Sequence, residues 1–290
     1  LSFATVKNER AGWQEIAGQL ALLHRHPLNA LASGAISASG ADPGLAAILL
    51  LLRARTGVDF KEYMEATIKR RILRRLVLHK LRDLTTYAQF LDKDPHDADL
   101  LFNDPLITVT SFFREAPFFA ASTEHVLPRL MERDMELGPA RIRVAGCSSG
   151  EEAVSIAIAF LEFARLTGKP LPVQIFATDL DPKMVEKART GAYGKSAVEG
   201  LSPEILTRYF RRDEGVHHVV KQVRDMCVFA QHDLIKDPPF SRMDLVSCQN
   251  VLIYFGPAAQ RRVLHNFHYA LRADGVLALG RSESAGSAGD

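Results

Sequence analysis

The sequence predicts an α/β fold: a doubly wound parallel sheet, preceded by a helical domain and interrupted by a small β insertion. Three observations carry that expectation. In the second half of the chain, short apolar runs at 142–145, 173–177, 227–230, 244–248 and 276–279 alternate with longer helix-like stretches. That alternation builds a parallel sheet covered on both faces. Residues 45–101 instead repeat apolar positions at helical spacing. Residues 194–226 break the alternation with a helix-like piece at 203–210, a polar turn at 211–215, and alternating Val219, Val220 and Val223.

Taken in order, residues 13–23 suit a short helix, and 32–44 are rich in Ala, Ser and Gly and end in Asp42-Pro43-Gly44. That is linker or turn composition, so 1–44 is read as a linker or poorly defined segment. A helical domain is expected over 45–125, with helices at 45–55, 60–80 and 84–91 separated by Thr56-Gly57 and Arg82-Asp83. The α/β domain is expected over 126–290. Its first strand runs into Gly146-Cys-Ser-Ser-Gly150 and a helix at 152–166. Asp181-Pro182 opens the next helix, Asp as N-cap and Pro in the first turn, and Gly191 closes it. Residues 257–271 form a helix, and Ala273-Asp-Gly275 turns into the last strand.

With 47% hydrophobic and 24% charged residues, the composition is that of an ordinary globular protein. No uncharged apolar run approaches the ~18 residues of a membrane-spanning helix, so no direct membrane insertion is expected. The start lacks the features of a secretory signal. It begins at Leu1 rather than Met, and the chain is expected to be part of something longer. Three scattered cysteines, Cys147, Cys227 and Cys248, argue against a disulfide framework or a metal site and fit a reducing cytoplasm.

The strongest local signal is a strand, then Gly146-xxx-Gly150, then a helix opening with Glu151 and Glu152. Glycines allow a sharp turn and close approach of backbone to a ligand. The loop has neither the Lys of a phosphate-binding P-loop nor the spacing of a dinucleotide fingerprint. Its two carboxylates suit the helix dipole but would repel phosphates. A cationic ligand bearing hydroxyls and an amino group fits better, as S-adenosylmethionine does; a plain tight turn with acidic capping is the alternative. Asp179, at the carboxyl end of the second strand, stands where a ribose diol is bridged in related folds. Asp233 falls at the same edge after the 227–230 strand, as a ligand for an adenine or as a simple loop carboxylate. Asn250 and Tyr254 follow a strand on that edge, although Tyr254 equally suits a core aromatic. Upstream, Thr110 and Arg114 are four residues apart and would share a face of a helix, where Arg114 could clamp a carboxylate. Finally, Ile68, Ile72, Leu76 and Lys80 share one stripe of a helix, with Leu73 and Val77 beside it, while Lys69, Arg70, Arg71, Arg74 and Arg75 crowd the rest. Such a face suits an acidic partner or simply solvent.

These segments, in this order, resemble the CheR family of chemotaxis receptor methyltransferases, in the form found fused to a methylesterase. The likeness is carried by Thr67-Ile-Lys-Arg-Arg71, Leu106-Ile-Thr-Val-Thr-Ser-Phe-Phe-Arg-Glu115, Gly146-Cys-Ser-Ser-Gly-Glu-Glu152 and Ala177-Thr-Asp-Leu-Asp-Pro182. It continues through His232-Asp-Leu-Ile-Lys-Asp-Pro-Pro-Phe-Ser-Arg242, Asn250-Val-Leu-Ile-Tyr-Phe255 and Arg281-Ser-Glu-Ser284. The resemblance implies a Rossmann-like methyltransferase domain that takes S-adenosylmethionine, leaves S-adenosylhomocysteine and forms glutamyl methyl esters on receptors. It implies cofactor contacts at Thr108, Thr110, Arg114, Gly146, Glu152, Asp179, Asp233, Leu234, Gln249 and Asn250, with Tyr254 near the transferred methyl. Arg114 and Tyr254 are the expected catalytic-site residues, in positioning roles. The basic helix, through Lys69, Arg70, Arg71, Arg74 and Arg75, becomes the docking element for an acidic helical receptor, a methyl-accepting chemotaxis protein or similar.

This chain departs from the family pattern at three places: Gln249 replaces an Arg, Thr108 an Asn and Val154 a Tyr. The short turn at 211–215 implies no strong grip on a receptor's C-terminal tether. Two alternatives follow: a module that binds S-adenosylmethionine or S-adenosylhomocysteine with impaired catalysis, motivated by Gln249, Thr108 and an expected missing terminal hairpin beyond Asp290, and a nucleic-acid methyltransferase, suggested by the basic helix. The second is disfavoured, because Asp237-Pro238-Pro239-Phe240 only mimics the base-methylating signature and lies in a loop the CheR family shares; no nucleic acid is expected as partner.

Overall fold

The computed structural model describes residues 42–103, 110–133 and 138–286 of the 290. The expected helix at 13–23 and Thr108 lie outside the described residues. The chain divides into two compact units, one ending at Leu106 and the other beginning at Ile107.

The first unit is helical: α1 (Pro43–Thr56), α2 (Glu65–Leu78), α3 (Leu84–Lys93) and α4 (Pro95–Asn103), with a 3-10 turn at Phe60–Glu62. Asp42-Pro43, which reads as linker composition, is instead the start of α1. The Asp42 carboxylate accepts from the backbone N–H of Gly44 at 2.8 Å and of Leu45 at 3.3 Å, and Pro43 needs no such partner. The same chemistry starts α4, a separate helix that periodicity alone does not mark: Asp94 accepts from His96 N at 3.0 Å.

On α2 the stripe Ile68, Ile72 and Leu76 is buried as expected. Lys80 leaves it, lying beyond the helix with φ +55° and exposed. The cationic row is not uniform either. Arg70 and Arg74 are exposed, and Lys69 pairs with Glu65 at 2.5 Å. Arg75 turns inward: its side chain is 12% exposed and pairs with Asp97, which is 2% exposed. Asp97 also receives the Tyr87 hydroxyl at 2.7 Å and meets His79 Nε2 at 2.7 Å. The expectation that Arg75 serves in docking is corrected by this inward pairing.

The second unit opens with α5 (Ala116–Ala121), a π-helical turn (Ser122–Val126) and α6 (Leu127–Met131). Five parallel strands follow in the order β6-β2-β1-β7-β8: β1 (Ala140–Ala145), β2 (Val173–Asp179), β6 (Cys227–Gln231), β7 (Met243–Cys248) and β8 (Leu271–Leu279). The helices between them include α7 (Glu151–Thr167), α8 (Pro182–Thr190) and α12 (Pro257–Ala270). Asp181 caps α8 by accepting from Lys183 N at 2.8 Å, as the sequence predicts. The insertion is a three-stranded antiparallel sheet, β3 (Ala192–Tyr193), β5 (Val216–Val219) and β4 (Phe210–Asp213) in that order, with short helices α9 (Lys195–Val198), α10 (Pro203–Tyr209) and α11 (Lys221–Arg224).

Four expectations are corrected here. Arg211–Asp213 pairs as strand, so the turn tightens to Glu214-Gly215, and Val223 lies on α11 rather than on a strand. Ala273-Asp-Gly275 is an irregularity inside β8, where the register jumps from Met243↔Leu271 to Leu245↔Val276. Residues 110–125 belong with the sheet and not with the helical unit, because Phe112 is buried edge-on against Tyr193 (4.9 Å) and Phe210 (5.4 Å).

Breaking one side of a buried ion pair leaves an uncompensated charge, at a cost of about 3–5 kcal/mol. Asp97→Ala is therefore expected to lower unfolding free energy by that amount in urea titration. Arg70→Ala, on the exposed side of α2, is expected to stay within about 0.5 kcal/mol of the native chain.

Candidate cofactor site at the carboxyl edge of the sheet

Strand register places the candidate residues. Ala145 of β1 is level with Thr178 of β2 and Cys248 of β7, and Thr178 is level with Ala230 of β6. One step further along lie Gly146, Asp179 and Gln249, with Asp233 just past the end of β6. Ligands bind at this edge of open α/β sheets.

The loop after β1 is held by its own amides. Gly146 N and Cys147 N both donate to the Thr178 carbonyl, at 2.8 and 2.9 Å. Ser148 N donates to Asp179 Oδ2 at 2.7 Å, and Gly150 N to the Cys147 carbonyl at 2.9 Å. A phosphate nest needs such N–H groups turned outward; here these four are already used. Gly146 (φ +72°) lies so close to Val251 that a Cβ would approach Val251 Cγ2 to 2.4 Å. Gly150 (φ +95°) packs under Ala188 and the Tyr193 hydroxyl, which donates to the Ser149 carbonyl at 2.9 Å. The Ser149 hydroxyl in turn donates to buried Glu151, at 2.7 Å to Oε2. Glu151 thus belongs to the loop's scaffold, whereas Glu152 looks toward β7.

Glu152 accepts the buried Ser247 hydroxyl at 2.6 Å, and Gln249 Nε2 donates to that same hydroxyl at 3.0 Å. Burial pushes the Glu152 carboxyl up to about 7; the Ser247 hydrogen bond and Arg114 oppose this, while Glu283 and Glu115 add to it. Asp179 is also raised, by burial first, against the N–H donors Asp181 and Ser148. Both its oxygens carry a backbone bond, with Asp181 N at 2.9 Å from Oδ1, so its position is fixed, and a carboxylate oxygen retains further acceptor capacity. Asp233 accepts from Ile235 N at 2.9 Å through Oδ1, and the next residue, Leu234, is buried. Burial drives the thiols of Cys147 and Cys248 well above their usual range, which suits packing rather than nucleophilic catalysis.

Upstream, Thr110 is half-buried and Arg114 exposed, but they share no helical face. Residues 110–115 form a loop that turns at Phe112-Phe113, with φ +51° at Phe113. Phe113 N donates to Ser155 Oγ of α7 at 3.0 Å, so the loop is tied to α7, and Arg114 comes near enough to Glu152 to act on its charge. Tyr254 ends a 3-10 turn (Leu252–Tyr254), half-buried.

Glu283 is a site residue for which sequence reasoning offered no role. It accepts four backbone N–H bonds: Gly280 and Asn250 to Oε2 at 2.7 and 2.9 Å, Val251 and Leu252 to Oε1 at 2.7 Å each. Asn250 has φ +61°, a conformation Asn tolerates better than most residues. Glu283 therefore fixes the turn that follows β7. Its only sequence signal is its place in Arg281-Ser-Glu-Ser284. Among the described residues, no group of three or more His, Cys, Asp or Glu could hold a metal ion, and no helix is long and apolar enough to cross a membrane.

The acids and hydroxyls gathered here fit an S-adenosylmethionine-like ligand. Ser148 Oγ and Thr178 Oγ1 are buried without hydrogen-bond partners, so the edge holds polar groups still to be satisfied.

Two outcomes are expected. A free glutamate titrates near 4.5 and folded Glu152 near 7, so between these values the folded state binds more protons and native stability falls as pH rises. Glu152→Gln lacks that loss. Its melting temperature should match the native chain at pH 5 and exceed it by several degrees at pH 8, read by calorimetry. Glu283→Ala strands four N–H donors, and each bond to a charged group contributes roughly 1.5–3 kcal/mol. It should cost several kcal/mol in chemical unfolding, with Glu283→Gln intermediate.

The family model "CheR methyltransferase, SAM binding domain" matches residues 108–289, and "CheR methyltransferase, all-alpha domain" matches 43–104. An uncharacterised 104.1 kDa protein of Rhodobacter capsulatus is 39% identical over 83% of this chain, which spans only 25% of that protein. Chemotaxis protein methyltransferases of Salmonella typhimurium (32% identical, covering 82% of each chain) and Listeria monocytogenes (34%, covering 78% of this chain and 84% of the relative) are also similar. The chain belongs to the CheR methyltransferase family and carries both its all-alpha and its S-adenosylmethionine-binding domains.

Proposed function

We propose that this chain methylates glutamate side chains of an acidic helical chemoreceptor in the cytoplasm, forming γ-glutamyl methyl esters. The observation that carries this reading is the composition of the carboxyl edge: four of its glycine-loop amides, those of Gly146, Cys147, Ser148 and Gly150, are spent internally, and its rim carries Glu152, Asp179 and Asp233. Such an edge selects a cationic nucleoside over a phosphorylated one. Glu152 would take the cofactor's amino group, Asp179 the ribose hydroxyls, and Asp233 with Leu234 the adenine. Gly146 supplies the close backbone approach, Asn250 lies at the turn clamped by Glu283, and Thr110 borders the upstream side; Thr108, outside the described residues, is assigned to the cofactor by the family resemblance alone. Gln249 acts through Ser247 on Glu152, a different role from direct cofactor contact.

The cofactor supplies an electrophilic methyl on a sulfonium. The protein's share is to align the acceptor and keep water away. A glutamate carboxylate with an ordinary pKa of ~4.3 is already an anion at neutral pH, so no general base is required. Positioning can contribute roughly 7–11 kcal/mol to such a displacement. Arg114, exposed beside Glu152, would hold the incoming carboxylate, and Tyr254 would border the methyl. Exposed Arg70 and Arg74, with Lys69 and Arg71, are the docking cations, and Arg75 supports them from within.

Incubation with radiolabelled S-adenosylmethionine and a receptor cytoplasmic fragment should give base-labile label on the receptor. Arg114→Ala should lower transfer at least 100-fold, and Arg70→Ala/Arg74→Ala should raise the receptor KM with little change in cofactor affinity. Saturable cofactor binding with no label on any receptor fragment would favour a binding module. Retention of cofactor affinity and full transfer by Arg114→Ala would remove that residue from the site.

A further inference from the structure

Arg143 is an anomaly of the core. It lies on β1 between Ile142 and Val144, whose side chains join the cluster on the α7 face, so it projects from the opposite face. There it is 1% exposed and, among the described residues, has no carboxylate partner; its Nε has no hydrogen-bond partner. Burial lowers its pKa to about 10, so the guanidinium is still charged at neutral pH. Its contacts are the Phe240 ring at 4.5 Å, the Phe267 ring of α12 at 5.6 Å, and His232 Nδ1 at 3.1 Å from an Nη. Phe240 and His232 belong to one segment, residues 232–242, which joins β6 to β7 and carries Asp233 and Leu234. Phe240 is further held by Phe176 of β2, with centroids 5.6 Å apart.

The tautomer of His232 follows from its neighbours. Nε2 is 3.1 Å from the Pro238 carbonyl, which can only accept, so Nε2 carries the hydrogen and Nδ1 offers its lone pair to Arg143. A second proton on Nδ1 would set N–H against N–H and add a positive charge beside a buried guanidinium. The charged groups acting on the ring are Arg143 on β1, which disfavours that proton, and Asp237 and Asp233 on the segment itself, which favour it; burial is the largest cause holding its pKa below 6.5. Phe267 and Phe176, from α12 and β2, bring no charge.

We infer that Arg143 is a positioning residue for the adenosine half of the cofactor: it anchors residues 232–242 through Phe240 and neutral His232, and it loses the His232 half of that anchor when the ring is protonated. This rests on the cofactor occupying the carboxyl edge as proposed above.

The test is calorimetric titration with S-adenosylhomocysteine from pH 8 to pH 5.5, on the native chain and on His232→Asn, whose amide oxygen can accept from Arg143 without titrating. At pH 8 both should bind with Kd within about threefold. On acidification to pH 5.5 the native Kd should rise about threefold more than that of the variant; Glu152 titrates in both, so the difference isolates His232. Linkage is reciprocal, so in the native chain the ligand should also lower the His232 midpoint, read by ¹⁵N NMR of the ring, by about 0.7 pH units. Superimposed Kd profiles, an unmoved midpoint, or hydrogen on Nδ1 rather than Nε2 at pH 8 would overturn the inference while leaving cofactor binding intact. No binding by the native chain at pH 8 would overturn both.

Discussion

The bond pair from Gly146 and Cys147 to the Thr178 carbonyl is the constraint on which the site depends. It continues the parallel pairing of β1 with β2 one step past the strand ends, and it turns those two amides toward protein instead of toward a ligand. Ser148 then reaches Asp179, locking the second acid to the first loop. Once those amides are used, the edge offers carboxylates and hydroxyls. The preference we propose for a sulfonium nucleoside would thus begin in backbone geometry, before any single side chain is considered.

Concentrating acid at this edge has an energetic consequence. Glu152 is raised to about 7 because burial and the nearby Glu283 and Glu115 disfavour its charge. A cationic ligand relieves that tension, so the group that weakens the ligand-free fold favours binding. Glu283, by contrast, accepts four backbone N–H bonds and holds the turn after β7, whereas Glu152 is the acid we propose for the cofactor. A short path of hydrogen bonds runs from Gln249 through Ser247 to Glu152, and under the proposed function it is the route by which a neutral amide at position 249 would bear on the cofactor.

Much of the fold was legible because its signals are local. Alternating apolar runs gave the five strands of the main sheet, and Asp181-Pro182 gave the start of α8. The same Asp-Pro chemistry at residues 42–43 and 94–95 was obscured by a small-residue composition before one and a short apolar pattern after the other. The edge acids were legible because a strand end and a known register place them. What stayed hidden depends on contacts distant in sequence. The direction of Arg75 is decided by Asp97, 22 residues away. The loop at 110–115 is decided by Phe112 entering a core built from Tyr193 and Phe210. The clamp of Glu283 forms only when the chain returns about thirty residues later to Asn250.

The central claim is that the carboxyl edge selects a sulfonium nucleoside rather than a nucleotide. Side-by-side calorimetric titrations of the chain with S-adenosylmethionine and with ATP at pH 8 test it most directly. Saturable one-to-one binding of S-adenosylmethionine, abolished by Asp179→Ala, with no heat from ATP, is the predicted result. ATP binding that survives Asp179→Ala, with none from S-adenosylmethionine, would contradict it.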